Sequence, residues 1–371
     1  MIYNNVQDFA VPVQFEAIGG DEDFKKGQIG KLLQESNDLD AADLVILGCA
    51  EQRGDAKPND FSAADAVRQQ LYRLFYWHNE VKIADAGNVL VGKKLNDSYA
   101  ALELVVSELT EAGKKVLVLG GSHDISLAIY RSFAAASRII EATVVDALID
   151  IDTESRVPAE NFLLEMLTGQ PNYIKQFNLL GFQSYFTYPG LLEAIDKLRF
   201  DCVRVGRVQE RMDEVEPIIR SSEFLSFDLK AIANAYLPVN KLTPNGFTGQ
   251  EACKLMQYAG LSSQLQVAGI FGLTADDAQQ MSSMQVAHMI WYMIDGIQKS
   301  KHEAELSDRS GFTEFHTICA EVDTLFLQSR HTGRWWMQMP DGSFAPCSYT
   351  DYMVASHNDL PERWLRLQER N

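Results

Sequence analysis

Short apolar runs rich in Val, Ile and Leu alternate along this chain with longer stretches of helical spacing. A short helix over Phe24–Leu33 precedes the first clear buried strand, Leu44–Gly48, and an amphipathic stretch predicts a helix over Ala63–Trp77. A second helix fits Ser98–Glu111 with Gly113 as its stop, and Val116–Leu119 then runs straight into Gly120-Gly121. The alternation continues through the apolar runs Thr143–Val145, Phe177–Gly181, Cys202–Val205, Phe224–Phe227 and Val267–Phe271, and a strong helix follows over Met284–Ile297. Strands without polar alternation, separated by helices, predict a mostly parallel sheet covered on both faces, a three-layer α/β/α domain.

The last part of the chain has a different pattern. Thr324–Leu327, Arg334–Met337 and Ser343–Ala345 are separated by His331-Thr332-Gly333 and Pro340-Asp341-Gly342, which read as turns of a small antiparallel meander. The expected organisation is an N-terminal extension over 1–43, the α/β domain over 44–300, and a β-rich C-terminal extension over 301–371. Three of the five tryptophans fall in that last segment. Two readings of it stand: an appendage packed on the main domain, or an oligomer or partner surface anchored by Trp and Arg.

Charge and cysteine usage narrow the setting. With 51 acidic and 33 basic residues the formal net charge is −18, so nucleic-acid backbones and anionic membranes are repelled. The five cysteines, Cys49, Cys202, Cys253, Cys319 and Cys347, are scattered and lack CxxC spacing. That suits a reducing cytoplasm better than a disulfide framework. The start of the chain lacks the basic residues and apolar run of a signal peptide, and no stretch has the apolar length of a membrane span. The expectation is a cytoplasmic protein.

The candidate chemistry sits at strand ends. Gly120-Gly121-Ser122-His123-Asp124, Asp146-Ala147-Leu148-Ile149-Asp150 and Ser226-Phe227-Asp228-Leu229-Lys230 each follow an apolar run. In open α/β sheets ligands bind at the carboxyl ends of strands. His123, Asp146, Asp150 and Asp228 offer one imidazole and three carboxylates, a shell suited to a hard divalent cation such as Mn²⁺. Taken singly, His123 reads as a structural histidine, the aspartates as capping or loop residues, and Lys230 as a surface lysine.

In order and spacing, these three segments resemble the motifs of the arginase, agmatinase and formimidoylglutamase family, the ureohydrolases: a GG-x-H-[DE] turn, then D-A-x-x-D, then S-F-D. The acidic Asp124 after the histidine is most similar to the formimidoylglutamase form. Gly48–Arg73 and Leu242–Ala252 are weaker echoes, so the resemblance spans roughly 44–298. It implies an arginase-like fold, a homo-oligomer, and hydrolysis of C–N bonds in guanidines or amidines by a hydroxide held between two manganese ions. Carried over residue by residue, the first metal's ligands are His123, Asp146, Asp150 and Asp228. Two positions of the second metal's ligand set are Leu148 and Lys230, so that site is degenerate. The family's substrate-orienting glutamate corresponds to Gly272, and a proton-shuttling histidine is missing, since no histidine occurs between His123 and His288.

Lys230 bears on charge. Three aspartates balance one divalent cation plus one ammonium, whereas loss of the cation leaves an excess of negative charge that raises carboxylate pKa values. Three functional expectations follow. The chain is a single-metal hydrolase of linear amidines or guanidines such as formiminoglutamate or arginine, holding at most one Mn²⁺. Alternatively it is a catalytically inactive relative serving as a scaffold or regulatory protein. The third is a binding module for a small anionic ligand held by Lys230.

Overall fold

In the computed structural model, which describes residues 3–370 except 21, 22, 60, 199, 276, 320 and 321, the apolar runs become the interior of one nine-stranded sheet. Met1 and Ile2, which open the N-terminal segment read above, lie outside the described residues. The strands are β1 (Ala10–Val11), β2 (Leu44–Cys49), β3 (Ile83–Val89), β4 (Lys115–Gly120), β5 (Ile140–Val145), β6 (Ile174–Phe182), β7 (Asp201–Arg204), β8 (Phe224–Asp228) and β9 (Val267–Phe271). Their order across the sheet is β1-β3-β2-β4-β9-β8-β5-β6-β7. All neighbours are parallel except the short β1, which pairs antiparallel with β3. Every residue of β2, β8 and β9 is buried, as strands covered on both faces require.

Each face of the sheet carries its own apolar layer. One unites Ile46, Leu117, Phe227 and Ile270 with the helices Gly249–Leu261 and Met281–Ser300. The other unites Val45, Val118, Val144 and Phe177 with the helices Leu95–Glu111, Ile125–Ala135 and Pro158–Thr168. This is the expected three-layer arrangement. No helix among the described residues is long and apolar enough to cross a membrane.

Several boundaries differ from the sequence reading for identifiable reasons. The early helix lies at Ile29–Glu35 rather than Phe24–Leu33. The helix expected over Ala63–Trp77 ends at Leu71. Beyond it Tyr72 turns inward, where its hydroxyl donates to Asp85 Oδ2 at 2.6 Å and its carbonyl accepts the Gly30 N–H at 2.9 Å. Strand β3 was not expected, because Ile83–Val89 contains Asp85, Gly87 and Asn88. These polar groups are consumed inside the protein: the buried Arg68 guanidinium donates to Asp85 through two 2.8 Å bonds and also to the Gly87 carbonyl.

The C-terminal segment forms an antiparallel sheet of four strands, β10 (Phe312–Cys319), β11 (Val322–Ser329), β12 (Trp335–Gln338) and β13 (Phe344–Cys347), in that order. The helices Tyr349–Ser356 and Glu362–Arg370 follow. Alternation along β12 sends its two tryptophans to opposite faces. Trp335 stacks on Tyr352 at 4.9 Å within the segment's own core. Trp336 packs with Phe312 and Leu327 on the other face, and its ring meets the main domain at the Arg220 guanidinium, 4.3 Å away, with Arg334 of its own segment at 5.5 Å.

Arg220 is the centre of that junction. It is buried, pairs with Glu216 at 3.0 Å, and donates to the carbonyls of Trp335 and Cys347. Burial and the neighbouring Arg334 pull its pKa down to about 10. Arg334 reaches back to the Leu261 carbonyl at 2.7 Å and to Glu303 at 2.7 Å. Removing a buried cation leaves its partner uncompensated, so Arg220→Ala is expected to destabilise the chain by about 3–5 kcal/mol. Urea unfolding measures this, and limited proteolysis should release the C-terminal segment earlier than in the parent chain. An unchanged midpoint would show that the junction rests on apolar contact alone.

Candidate metal centre

Four adjacent strands, β4, β9, β8 and β5, end side by side, and the segment leaving each carries one part of the site. The turn after β4 brings in His123, β5 runs into Asp146 and then Asp150, Asp228 closes β8, and Gly272 follows β9. The His123 Nδ1 atom lies 2.8 Å from Asp150 Oδ2, 3.1 Å from Asp146 Oδ2 and 3.3 Å from Asp228 Oδ2. All four residues are buried. The structure thus brings together the imidazole and three carboxylates that the motifs single out, and His123, Asp146 and Asp228 form a cluster able to hold a metal ion.

The aim of the carboxylates is set by the backbone. Asp146 Oδ1 accepts the Leu148 N–H at 3.0 Å, and Asp228 Oδ1 accepts the Lys230 N–H at 2.7 Å. These are Asx-type turns, in which an aspartate binds a main-chain donor two residues on. Each leaves its second oxygen turned toward His123. Asp146 Oδ2 and Asp228 Oδ2 are buried and have no hydrogen-bond partner among the described residues. Such orphaned acceptors are costly in an apolar interior unless a cation or proton meets them.

The imidazole is held from behind. His123 Nε2 lies 2.9 Å from Ser226 Oγ, which in turn is 2.7 Å from Ser126 Oγ. The rings of Phe162 and Phe271, centred 4.7 and 5.6 Å away, dry its faces. Burial alone would depress the His123 pKa, but the carboxylates of Asp146, Asp150 and Asp228 outweigh it and push the value up to about 10. Desolvation raises Asp146 and Asp228, with mutual carboxylate repulsion adding to both. The Lys230 ammonium lies 3.5 Å from Asp228 Oδ2 with 31% of its side chain exposed, and that carboxylate keeps it protonated above the usual lysine range. It is therefore an ion-paired wall of the site rather than a free surface lysine. Leu148, in the turn after Asp146, is half-buried.

A cavity of about 140 Å³ opens onto the cluster, lined by His123, Asp228 and Lys230 together with Asp55, Asn240 and Lys241. The loop carrying Asp55 is pressed onto the glycine turn. Ser122 N–H donates to the Glu51 carbonyl at 3.0 Å, and a Cβ on Gly121 would stand 2.1 Å from that oxygen, so only glycine fits.

The arginase family profile matches residues 42–295 of the 371. The chain belongs to the arginase family. Solved structures agree on the fold. Trypanosoma cruzi formiminoglutamase, solved with Mn²⁺, superposes with a TM-score of 0.65 at 20% identity, covering 72% of this chain and 97% of that one. Formimidoylglutamase from Bacillus subtilis gives 0.63 at 15%, covering 76% and 96%, and agmatine ureohydrolase of Thermoplasma volcanium 0.59 at 18%, covering 75% and 97%.

Within this arginase-family site, Ser126 and the support role of Ser226 were not legible in the sequence, because nothing in a lone hydroxyl predicts its partner. Gly272 has a structural role. It adopts φ +87°, and a Cβ there would lie 2.9 Å from Asp228 Oδ1. Gly113 shares the left-handed backbone, at φ +75°, but faces open space. Both alanine substitutions should carry the backbone cost of about 1 kcal/mol or more. Gly272→Ala should lose measurably more stability in urea unfolding than Gly113→Ala, and equal losses would mean that Asp228 gives way freely.

Proposed function

We propose that this arginase-family protein holds a single divalent cation, Mn²⁺, between His123, Asp146, Asp150 and Asp228. There it hydrolyses a C–N bond of a linear amidine or guanidine of the formiminoglutamate or arginine type. The observation that carries the reading is the convergence of two buried oxygens that accept no hydrogen bond, one on Asp146 and one on Asp228, toward the same nitrogen as Asp150. The Nδ1–oxygen separations of 2.8 to 3.3 Å suit neighbouring donors of an octahedral shell, roughly 3 Å apart for bonds of roughly 2.1 Å. A hard cation with imidazole and carboxylate donors matches manganese chemistry.

A cation bound there would supply Lewis-acid polarisation and a water of lowered pKa. The chain's own residues then have distinct tasks. Ser226 fixes the ring of His123 so that Nδ1 faces the carboxylates, an outer contact of the kind that sets metal affinity. Phe162 and Phe271 exclude bulk water and so strengthen the charges inside. Lys230 sets a permanent positive charge on the cavity wall beside Asp228, where the family places the second ion's ligand. It offsets the carboxylates and offers a donor to an anionic substrate group.

A second reading is favoured by a specific set of residues. Leu148, Lys230 and Gly272 all depart from the family's ligand and substrate positions, which suits a non-catalytic scaffold or a site for a small anion. Substrate turnover separates the readings. A screen of formiminoglutamate, arginine, agmatine and guanidinobutyrate is expected to show metal-dependent hydrolysis of at least one, abolished by Asp228→Ala. Metal binding without turnover would favour the scaffold.

Elemental analysis after manganese loading and desalting is expected to find about one equivalent per chain, and none in Asp228→Ala. Ser226→Ala should weaken metal binding roughly 10–100-fold. Because the turns already aim both aspartates, Leu148→His combined with Lys230→Asp should raise the content to about two equivalents. A content that stays at one would show that the second position is lost in more than its two side chains.

A further inference from the structure

A cavity larger than the one at the metal centre lies elsewhere. It encloses about 590 Å³ at the β6–β7 edge of the sheet, beneath the C-terminal segment, and shares no lining residue with the metal centre. Its floor includes Gln176 and Asn178 of β6, both buried, on a sheet face that is apolar further along at Leu180. A buried sheet face normally carries apolar side chains. Here the floor offers amide groups instead, while Val215, Ile218 and Val354 supply apolar walls.

Five arginines line this one cavity in a chain of net charge −18. Two come from the C-terminal segment and are balanced: Arg363 pairs with Asp351 at 3.2 Å, and Arg366 with Asp201 and Glu362 at 2.7 Å each. The other three, Arg204, Arg207 and Arg211, come from the short stretch where β7 passes into the helix Val205–Glu210, with Arg204 just before that helix and Arg211 just after it, and all three face the cavity. Arg207 and Arg211 share one lining carboxylate, Glu214, at 3.3 and 2.7 Å, and remain half-exposed. Arg207 has only a distant second partner, Glu210 at 3.8 Å. Arg204 makes no ion pair among the described residues. Glu141, the remaining lining acid, is itself engaged. That wall therefore holds three guanidinium groups against one carboxylate.

We infer that this cavity is a binding site for a small, multiply charged oxyanion, a phosphate ester or a di- or tricarboxylate, gripped by Arg204, Arg207 and Arg211. Guanidinium groups present paired donors that match carboxylate and phosphate oxygens. The cavity falls within the range of about 300–1,000 Å³ usual for small-molecule sites. The amide floor, fixed by hydrogen bonds from Gln176 to Asn178 and from Asn178 to Thr143, presents a polar surface to the uncharged part of such a ligand beside the apolar walls. The inference is independent of the metal centre and of the reaction proposed there.

The test is thermal unfolding of the full chain titrated with inorganic phosphate and, separately, with succinate, against sodium chloride at equal ionic strength. The expected result is a saturable rise in Tm with at least one probe, beyond the salt control, with apparent affinity falling roughly tenfold or more in Arg204→Gln and in Arg211→Gln. Arg204→Gln breaks no ion pair, so it leaves the fold intact for the comparison. A response to phosphate alone assigns a phosphate ester, and one to succinate alone a polycarboxylate. A shift no larger than that of sodium chloride, or one retained in both variants, overturns the site.

Discussion

Three buried carboxylates around one imidazole are the constraint on which the rest of this molecule turns. Negative charge withdrawn from water is tolerated only where cations, protons or donors answer it. The structure answers it on every side. Backbone N–H groups take one oxygen each of Asp146 and Asp228, Lys230 stands against Asp228, and Asp150 meets the ring of His123. What remains unanswered is a single focus beside Nδ1. The parallel sheet exists in a form that makes this possible, because only adjacent strand ends bring four separate segments within hydrogen-bond reach.

Much of this was legible in the chain. The apolar runs that became β2, β4, β5, β8 and β9 are buried on both faces, so their hydrophobicity is continuous and easily seen. The metal-centre residues were legible for a related reason: each lies at or within a few positions of the end of such a run, so its place near a strand end could be inferred. Strand β3 escaped because its polar residues are satisfied internally by Arg68, a partner some twenty positions away that no local pattern discloses. In the C-terminal segment, β10 escaped because Phe312 and Phe315 stand three positions apart, so its first residues lack the strict alternation that marks a half-buried strand. The serines behind His123 were invisible because their role depends on a distance between β8 and the helix after β4 rather than on spacing along the chain.

The C-terminal segment shows the same use of charge in another setting. Its tryptophans lie inside the protein, and arginines make the crossing to the main domain. Arg220 and Arg334 bracket Trp336, while Arg363 and Arg366 reach Glu214 and Asp201. A junction built from charge and stacking, rather than from one apolar seam, leaves polar space beneath it. The large cavity is that space.

Strand β9 has a further consequence, in the order of events during synthesis. It is the last strand of the large sheet to be made, yet it lies in the middle, paired with β4 on one side and β8 on the other. Until it emerges, the strands before it form two separate half-sheets, each with a long unpaired edge of the kind that invites association with other chains. Insertion of β9 closes both edges at once and brings His123 within reach of Asp228. Long-range pairing of this kind is slow, since loop entropy is lost before contacts form. The open edges of β4 and β8 are therefore the aggregation hazard of this topology until Val267–Phe271 pairs with both.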